Sequence, residues 1–185
     1  MNVVAYDLHP NLALTKDYGV RYLDLDDLLR EADVISLHVP YTKATHHLIN
    51  ADRLRLVKDT ALLVNTSRAG VVDTQAVAAA LREGRLGGVA LDTFEGEQIW
   101  IEEEFSGAGE PSAAELKDAL ESFAILQSDR AILSPHNAFN TREALGRILA
   151  TSIENVRVFF AGNPQNIVAG TYQVPAPPPT GGGRA

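Results

Sequence analysis

The chain has 185 residues, of which 45% are apolar and 22% are charged, a composition typical of a globular protein with a hydrophobic core. Its net charge of −8 disfavours nucleic acid as the main partner, because phosphate backbones bind to basic surfaces. Since the sequence contains no cysteine, disulfide bonds, thiol catalysis and cysteine-ligated metals are excluded.

The amino terminus lacks the basic segment and apolar core of a signal peptide. No apolar run approaches the roughly 20 residues that are needed to span a bilayer. We therefore expect a soluble, cytoplasmic protein with no membrane partner.

Short apolar runs alternate with helical patterns along most of the chain, which indicates a parallel α/β sheet. The predicted strands are residues 2–6, 20–23, 34–39, 61–65, 89–91 and 131–134. The predicted helices are residues 11–18, 25–31, 52–57, 74–83, 113–126 and 141–161. Asn11 and Asp24 are the predicted N-caps of the first two helices, and Gly84 is a predicted helix terminator.

Three polar residues follow predicted strands: Arg68 after 61–65, Glu97 after 89–91 and His136 after 131–134. Ligands of open α/β sheets bind at the carboxyl ends of the strands, so these side chains are candidates for one site. An arginine can bind a carboxylate through two hydrogen bonds, and a carboxylate can hold an imidazole in place. The three residues therefore make a plausible catalytic set.

Asp7 ends the first predicted strand. An acidic side chain there can accept hydrogen bonds from the ribose hydroxyls of an adenosine, and it repels a 2′-phosphate. Aspartates at strand ends are also common caps, and both interpretations remain open.

Four segments, in order along the chain, resemble motifs of the D-isomer-specific 2-hydroxyacid dehydrogenases. They are Leu-His-Val-Pro at 37–40 with Thr-His-His-Leu-Ile-Asn at 45–50, then 65–73, then Ala-Leu-Asp-Thr-Phe-Glu-Gly-Glu at 90–97, and Ser-Pro-His-Asn-Ala-Phe at 134–139. The resemblance covers nearly everything from residue 2 to about residue 168.

The resemblance implies that Arg68 binds the substrate carboxylate and helps to polarise the carbonyl of a 2-keto acid. His136 would donate a proton to the carbonyl oxygen as NADH delivers hydride, and would take it back in the reverse direction. Glu97 would pair with His136 and fix its tautomer. Glu97 is preferred to Glu95 because it lies 29 positions after Arg68, as in the family.

The cofactor that the resemblance implies is NAD, and the substrate is a small 2-keto or 2-hydroxy acid bound by Arg68, His136 and Phe139. A homodimer is expected for the complete enzyme. The residues expected to line the cofactor site are Asp7, Val39, Pro40, Thr45, Thr66, Ser67, Arg68, Asp92 and His136.

Structural roles remain as alternatives: Arg68 could tie a loop to a carboxylate, and His136 could be a loop histidine. His38, His46 and His47 are expected to be surface or backbone-contact residues. The two adjacent histidines have no third ligand at convincing spacing, so no metal site is predicted. Ala69 stands where the family usually has glycine, and a positive φ there would strain the loop.

The fold class that follows is a Rossmann-like, doubly wound parallel sheet with helices on both faces. The strand, Gly-x-Gly-x-x-Gly turn and helix that open such a domain do not occur in the sequence. We therefore expect the C-terminal portion of a longer enzyme. On its own, this portion should bind NAD weakly or not at all and associate through exposed sheet edges.

The predicted organisation is a partial NAD-binding domain at 1–165 with an insertion at about 96–129. Residues 166–173 would be a remnant of the return to the substrate domain, and 174–185, rich in proline and glycine, a disordered tail. The acidic cluster at 102–104 in the insertion would be a solvated face.

The predicted function is interconversion of a 2-keto acid and a D-2-hydroxy acid with NAD(H). The long 96–129 connection favours a D-lactate or D-hydroxyisocaproate type. The alternatives are a non-catalytic, NAD-sensing or corepressor-like module and an inactive gene fragment.

Overall fold

A computed structural model describes residues 1–97 and 112–167 of the chain. The chain divides into two compact units, Met1–Ala138 and Phe139–Ala185. The predicted tail at 174–185, most of the 166–173 remnant and residues 98–111 of the predicted insertion, including its acidic cluster, lie outside the described residues.

The first unit alternates strands and helices, as its sequence pattern predicts. Its strands are β1 Val4–Ala5, β2 Arg21–Tyr22, β3 Val34–Leu37, β4 Leu62–Asn65, β5 Gly88–Leu91 and β6 Ala131–Leu133. Its helices are α1 Leu12–Tyr18, α2 Leu25–Glu31, α3 Ala51–Leu54, α4 Thr74–Arg82 and α5 Ala113–Leu126, with a short 3-10 turn at Ala69–Val71.

Every strand pair in the described residues is parallel. β1 pairs with β2 in a two-stranded sheet, and the other four strands form a second sheet in the order β3-β4-β5-β6. The predicted parallel α/β class is confirmed, with the Rossmann-like arrangement of helices on both sides. The division into two sheets agrees with the absence of a Gly-x-Gly-x-x-Gly strand unit from the sequence.

The predicted boundaries differ from the observed ones mainly at strand ends. β3 stops at Leu37, before Val39 and Pro40, because its ladder partner β4 ends at Asn65. The Asn11 side chain caps α1 by accepting a hydrogen bond from the Ala13 amide at 3.0 Å. Asp24 occupies the predicted N-cap position of α2 but makes no side-chain capping bond.

Gly84 terminates α4 as predicted. Its φ of +71° is in the left-handed region, which glycine adopts without steric cost, and its N–H donates to Leu81.

The hydrophobic core of the first unit lies on one face of the four-stranded sheet. Because side chains alternate along a strand, residues paired in register share a face. The core face carries Ile35, Leu37, Leu63, Val89 and Leu91. These side chains pack with buried residues of the helices, including Leu29, Leu54, Val77, Leu81 and Ile125.

The opposite face of this sheet remains partly uncovered. Val34 of β3 and Leu62 of β4 are paired in register and are 58% and 46% exposed, and Ile132 of β6 is 71% exposed. Apolar residues at these strand positions normally pack under helices in a doubly wound sheet.

The second unit contains one described helix, α6, at Arg142–Phe160, close to the predicted 141–161. Thr141 caps it by accepting a hydrogen bond from the Ala144 amide at 3.1 Å. The apolar residues that predicted the helix are exposed: Leu145, Ile148, Leu149, Ile153, Val156 and Phe159. Within residues 1–97 and 112–167, no helix combines the length and apolar character that crossing a membrane requires.

Candidate active site

The register of the sheet brings the three predicted catalytic segments to one edge. Asn65 at the end of β4 pairs with Leu37 of β3 on one side and with Leu91 of β5 on the other. Leu91 in turn pairs with Leu133 of β6. The strands therefore end level, and the segments that carry Arg68, Glu97 and His136 leave the same edge of the sheet.

The turn that bears Arg68 is shaped by Asn65, whose side chain is fully buried. Asn65 Oδ1 accepts hydrogen bonds from the Ser67 amide and hydroxyl at 3.0 and 2.8 Å, and its Nδ2 donates to the Arg68 carbonyl at 3.0 Å. The Arg68 side chain is exposed, and its Nη1 donates to the Ser67 carbonyl at 2.7 Å. A guanidinium carries five N–H groups, so Arg68 can also donate to a ligand.

The strain that a positive φ would cause at Ala69 does not arise. Ala69 begins the 3-10 turn Ala69–Val71, and it is not among the residues with positive φ. The turn after the arginine therefore accommodates an alanine at position 69. The glycine at position 70 has a different role. A Cβ on Gly70 would lie 2.7 Å from Cε2 of Tyr41, closer than side chains pack.

Glu97 and His136 form the imidazole–carboxylate pair that the sequence predicts. His136 Nδ1 lies 3.6 Å from Glu97 Oε1, within ion-pair range but beyond a normal hydrogen bond. The other carboxylate oxygen, Oε2, accepts a hydrogen bond from the Phe94 amide at 3.1 Å. Glu97 is thus held by its own turn, with one oxygen directed towards the imidazole.

His136 has a φ of +49°, which is uncommon for a residue with a side chain. Its amide donates to the Asp92 carbonyl at 2.8 Å. A backbone in this region persists where surrounding contacts over-determine it, and such residues concentrate at functional sites.

Asp92 supplies those contacts. Its side chain is 5% exposed, and it accepts hydrogen bonds from Ser134 Oγ at 2.6 Å and from the amides of Asn137 and Ala138 at 2.9 Å each. Burial alone would raise the pKa of Asp92. The bonds from Ser134, Ala138 and Asn137, with the nearby charge of His136, outweigh burial and lower this pKa below its ordinary value.

The residues predicted to line the cofactor site lie in loops after the strands. Asp7 is exposed just after β1, and its Oδ1 accepts the His9 amide at 2.7 Å. Thr45 Oγ1 donates to the Pro40 carbonyl at 2.6 Å, so this hydroxyl stabilises its own loop. Val39 and Ser67 are partly buried, whereas Pro40 and Thr66 are exposed.

Phe139, predicted to wall the substrate pocket, is exposed in the second unit.

Sequence reasoning missed the side-chain role of His47. It does make the expected backbone contact, but its Nε2 also lies 2.8 Å from Glu95 Oε1. The two residues are 48 positions apart, and no local pattern predicts the contact.

Among residues 1–97 and 112–167, no group of three or more histidines, cysteines and carboxylates could hold a metal ion.

The fold and the edge residues together define a class of protein. A parallel α/β sheet with an acidic residue after one strand and Arg, Glu and His after three others is typical of a dinucleotide-binding oxidoreductase domain. The sequence profile described as "D-isomer specific 2-hydroxyacid dehydrogenase, NAD binding domain" matches residues 1–138. The chain belongs to this family, the matched region is its NAD-binding domain, and its end coincides with that of the first compact unit.

Characterised relatives resemble the chain over most of its length. It is 40% identical over 162 residues to D-lactate dehydrogenase kk1H of Curvularia clavata, covering 88% of the chain and 44% of that protein. It is 36% identical over 169 residues to the glyoxylate reductase of Aeropyrum pernix, covering 91% of the chain and 44% of the relative.

Among solved structures, the D-lactate dehydrogenase of Aquifex aeolicus complexed with NAD and lactic acid superimposes with a TM-score of 0.79 at 40% identity. The match covers 88% of this chain and 47% of that one. The chain thus spans about half the length of the relatives that it matches.

Proposed function

We propose that the chain carries the NAD-binding and catalytic half of an oxidoreductase that interconverts a 2-keto acid and a D-2-hydroxy acid. The observation that supports the proposal is that the segments carrying Arg68, Glu97 and His136 follow level ends of adjacent strands in an NAD-binding domain, with Glu97 3.6 Å from His136. These side chains can bind a carboxylate, hold an imidazole and transfer a proton.

Arg68 is assigned to the substrate carboxylate. Its side chain is exposed at the edge of the sheet, and one guanidinium N–H donates a hydrogen bond to the Ser67 carbonyl. The remaining donors can form the bidentate pair that a planar carboxylate accepts. A guanidinium beside the 2-keto oxygen would also stabilise the negative charge that develops there.

His136 is assigned to general acid–base catalysis. In the direction of reduction it gives its proton to the carbonyl oxygen, and in oxidation it takes the proton from the hydroxyl. Glu97 Oε1, at 3.6 Å from Nδ1, orients the ring. Bound NADH supplies the hydride that adds to the carbonyl carbon.

The residues present fit a dinucleotide without a 2′-phosphate. The Asp7 carboxylate is fixed by one amide bond from His9, and its two oxygens have further acceptor capacity for ribose hydroxyls. The other residues assigned to the cofactor are Val39, Pro40, Thr45, Thr66, Ser67, Asp92 and His136.

The substrate class that we propose is a small 2-keto acid, with Arg68, His136 and Phe139 in contact with it. The names of the relatives, D-lactate dehydrogenase and glyoxylate reductase, support a short acid. We further propose a cytoplasmic location and a homodimer for the whole enzyme.

The test is NADH oxidation with pyruvate, glyoxylate or 2-ketoisocaproate by the natural polypeptide that carries this chain. We expect His136→Gln to lower kcat by about 10²- to 10⁴-fold, the usual contribution of a general acid. Arg68→Gln should chiefly raise KM for the keto acid. Arg85→Gln, which removes a partly buried arginine paired with Glu83, is the matched control and should keep wild-type kinetics.

A wild-type kcat in His136→Gln, or a wild-type KM for the keto acid in Arg68→Gln, would refute the role assigned to that residue. A wild-type protein that binds NADH but oxidises none of it with any of the three acids would refute the enzyme and favour an NAD-sensing module.

A further inference from the structure

A loop at residues 41–49, which we call the clamp loop, holds the turn that bears Arg68. Their backbones join as a short parallel bridge centred on Ile49 and Val72. The hydrogen bonds between the two segments run from the His47 amide to Gly70 at 2.8 Å, from the Ile49 amide to Val71 at 3.1 Å and from the Asp73 amide to Ile49 at 2.9 Å. The conformation of the arginine turn therefore depends on the clamp loop.

Side chains of the clamp loop reinforce this contact. The ring of Tyr41 lies against Gly70, where a Cβ would approach Cε2 to 2.7 Å. The Tyr41 hydroxyl lies 3.2 Å from His46 Nδ1, and the His46 ring stacks on that of His47 at 3.9 Å between centroids. The loop thus presents the His47 ring in one orientation.

That orientation places His47 Nε2 2.8 Å from Glu95 Oε1. The second oxygen, Glu95 Oε2, accepts a hydrogen bond from the Thr74 amide at 3.3 Å, at the start of α4. His47 has a φ of +47°, so the backbone adopts a costly conformation while the ring makes this contact. Both side chains are partly buried, which limits competition from water.

Glu95 belongs to the same short turn as Glu97. The Glu97 amide donates to the Phe94 carbonyl at 3.2 Å, and the Phe94 amide donates to Glu97 Oε2 at 3.1 Å. Ser122 Oγ also donates to the Glu95 carbonyl at 2.8 Å and fixes this turn on α5. The His47–Glu95 contact therefore joins the segment that carries Arg68 to the segment that carries Glu97.

We propose that His47 and Glu95 are positioning residues that set the placement of Arg68 relative to the Glu97–His136 pair. Neither needs to touch substrate or cofactor for this role. The inference rests on the proposed function, because it concerns the geometry of that site. Its physical basis is that the two turns leave adjacent strands, β4 and β5, and the His47–Glu95 contact links them beyond the strand ends.

The kinetic test uses His47→Ala, Glu95→Ala and the double variant of the natural polypeptide. Misplacing a binding group by about 1 Å can cost on the order of 10²-fold in rate, so we expect KM for the keto acid to rise and kcat to fall by about tenfold or more. KM for NADH should rise less than KM for the keto acid, because Thr45, Thr66 and Ser67 lie in the loosened segments but Asp7 follows a different strand. The double variant should be no worse than either single one.

Two further variants separate positioning from a general loss of stability. Glu95→Gln keeps an oxygen within reach of His47 but loses the acceptor for the Thr74 amide, so it should restore part of the activity, whereas Glu95→Asp, shorter by one methylene, should not. Glu121→Ala is the matched control, since it removes a carboxylate paired with Arg82 between α4 and α5 at 3.2 Å. It should leave both KM values at the wild-type level.

A second readout is independent of turnover. Amide hydrogen exchange of the chain should accelerate at Phe94 in His47→Ala and at Val71 in Glu95→Ala, because each variant loosens the turn on the far side of the contact. Acceleration confined to the mutated turn would overturn the proposal. So would a fall in kcat, in proportion to the unfolded fraction, with an unchanged KM for the keto acid. Absence of turnover in the wild type would refute the proposed function, and exchange would still decide the positioning claim.

Discussion

Replacing Asp92 by asparagine should release the loop that carries His136. The carboxylate accepts three hydrogen bonds from this loop in a buried setting. Asparagine keeps one acceptor oxygen but turns an NH2 group towards a donor. At least one charge-assisted bond is lost, so we expect a cost of about 2–3 kcal/mol in the free energy of unfolding.

The assay is urea unfolding of the chain, with Asp33→Asn as the matched control. Asp33 is exposed and pairs with Lys58 at 2.7 Å, so its replacement should change the unfolding midpoint little. A stability change below about 0.5 kcal/mol for Asp92→Asn would refute the reasoning, because surface substitutions reach that size.

The same prediction has a pH signature with a definite sign. The pKa of Asp92 is lowered in the folded protein from its ordinary value of 3.8. Its stabilisation is therefore fully present above the unfolded pKa and is lost as pH falls through the lowered folded pKa. The stability difference between wild type and Asp92→Asn should stay constant from about pH 5 to 8 and shrink only on acidification below about pH 4.

Other substitutions test the packing around the edge of the sheet. Thr93 is buried, and its hydroxyl finds no hydrogen-bond partner within the described part of the chain. Thr93→Val should therefore stabilise by about 1 kcal/mol in thermal or urea unfolding, and Thr93→Ser, which keeps the hydroxyl and loses a methyl, should destabilise. Asn65→Ala should lower the free energy of unfolding in urea by about 2–3 kcal/mol, since the Ser67 amide and hydroxyl lose their acceptor and the Arg68 carbonyl loses its donor. Gly70→Ala should lower the free energy of unfolding by about 1 kcal/mol in the wild type and leave it unchanged in a Tyr41→Ala background. The reason is that the three atoms nearest the added methyl all belong to the Tyr41 ring. Equal costs in the two backgrounds would contradict that account.

The sequence predicts the strands well because their apolar runs and intervening helices follow the periodicities of buried elements. It also places Arg68, Glu97 and His136 on one edge, since the carboxyl ends of adjacent parallel strands coincide. The observed register of Asn65 with Leu91 and of Leu91 with Leu133 confirms this alignment. The roles of the three residues remain predictions.

Other features depend on contacts between residues far apart in the sequence, which no local sequence pattern indicates. The Asp92 carboxylate joins amides 45 and 46 positions away, and the clamp loop meets Glu95 only after the sheet has formed. These tertiary bonds hold His136 at a positive φ, a conformation that the sequence alone would predict for a glycine. Capping propensity predicts the N-cap position of Asp24 correctly but not the absence of its side-chain capping bond.

The central claim is that this chain supports reduction of a 2-keto acid at the Arg68, Glu97 and His136 edge. The most direct measurement follows NADH consumption and product chirality together. Its substrates are pyruvate and longer 2-keto acids, whose reduction products are chiral. The account predicts that NADH oxidised equals D-2-hydroxy acid formed, and that both rates fall by about 10²-fold or more in His136→Gln. Formation of the L-enantiomer, or equal product in His136→Gln, would contradict it.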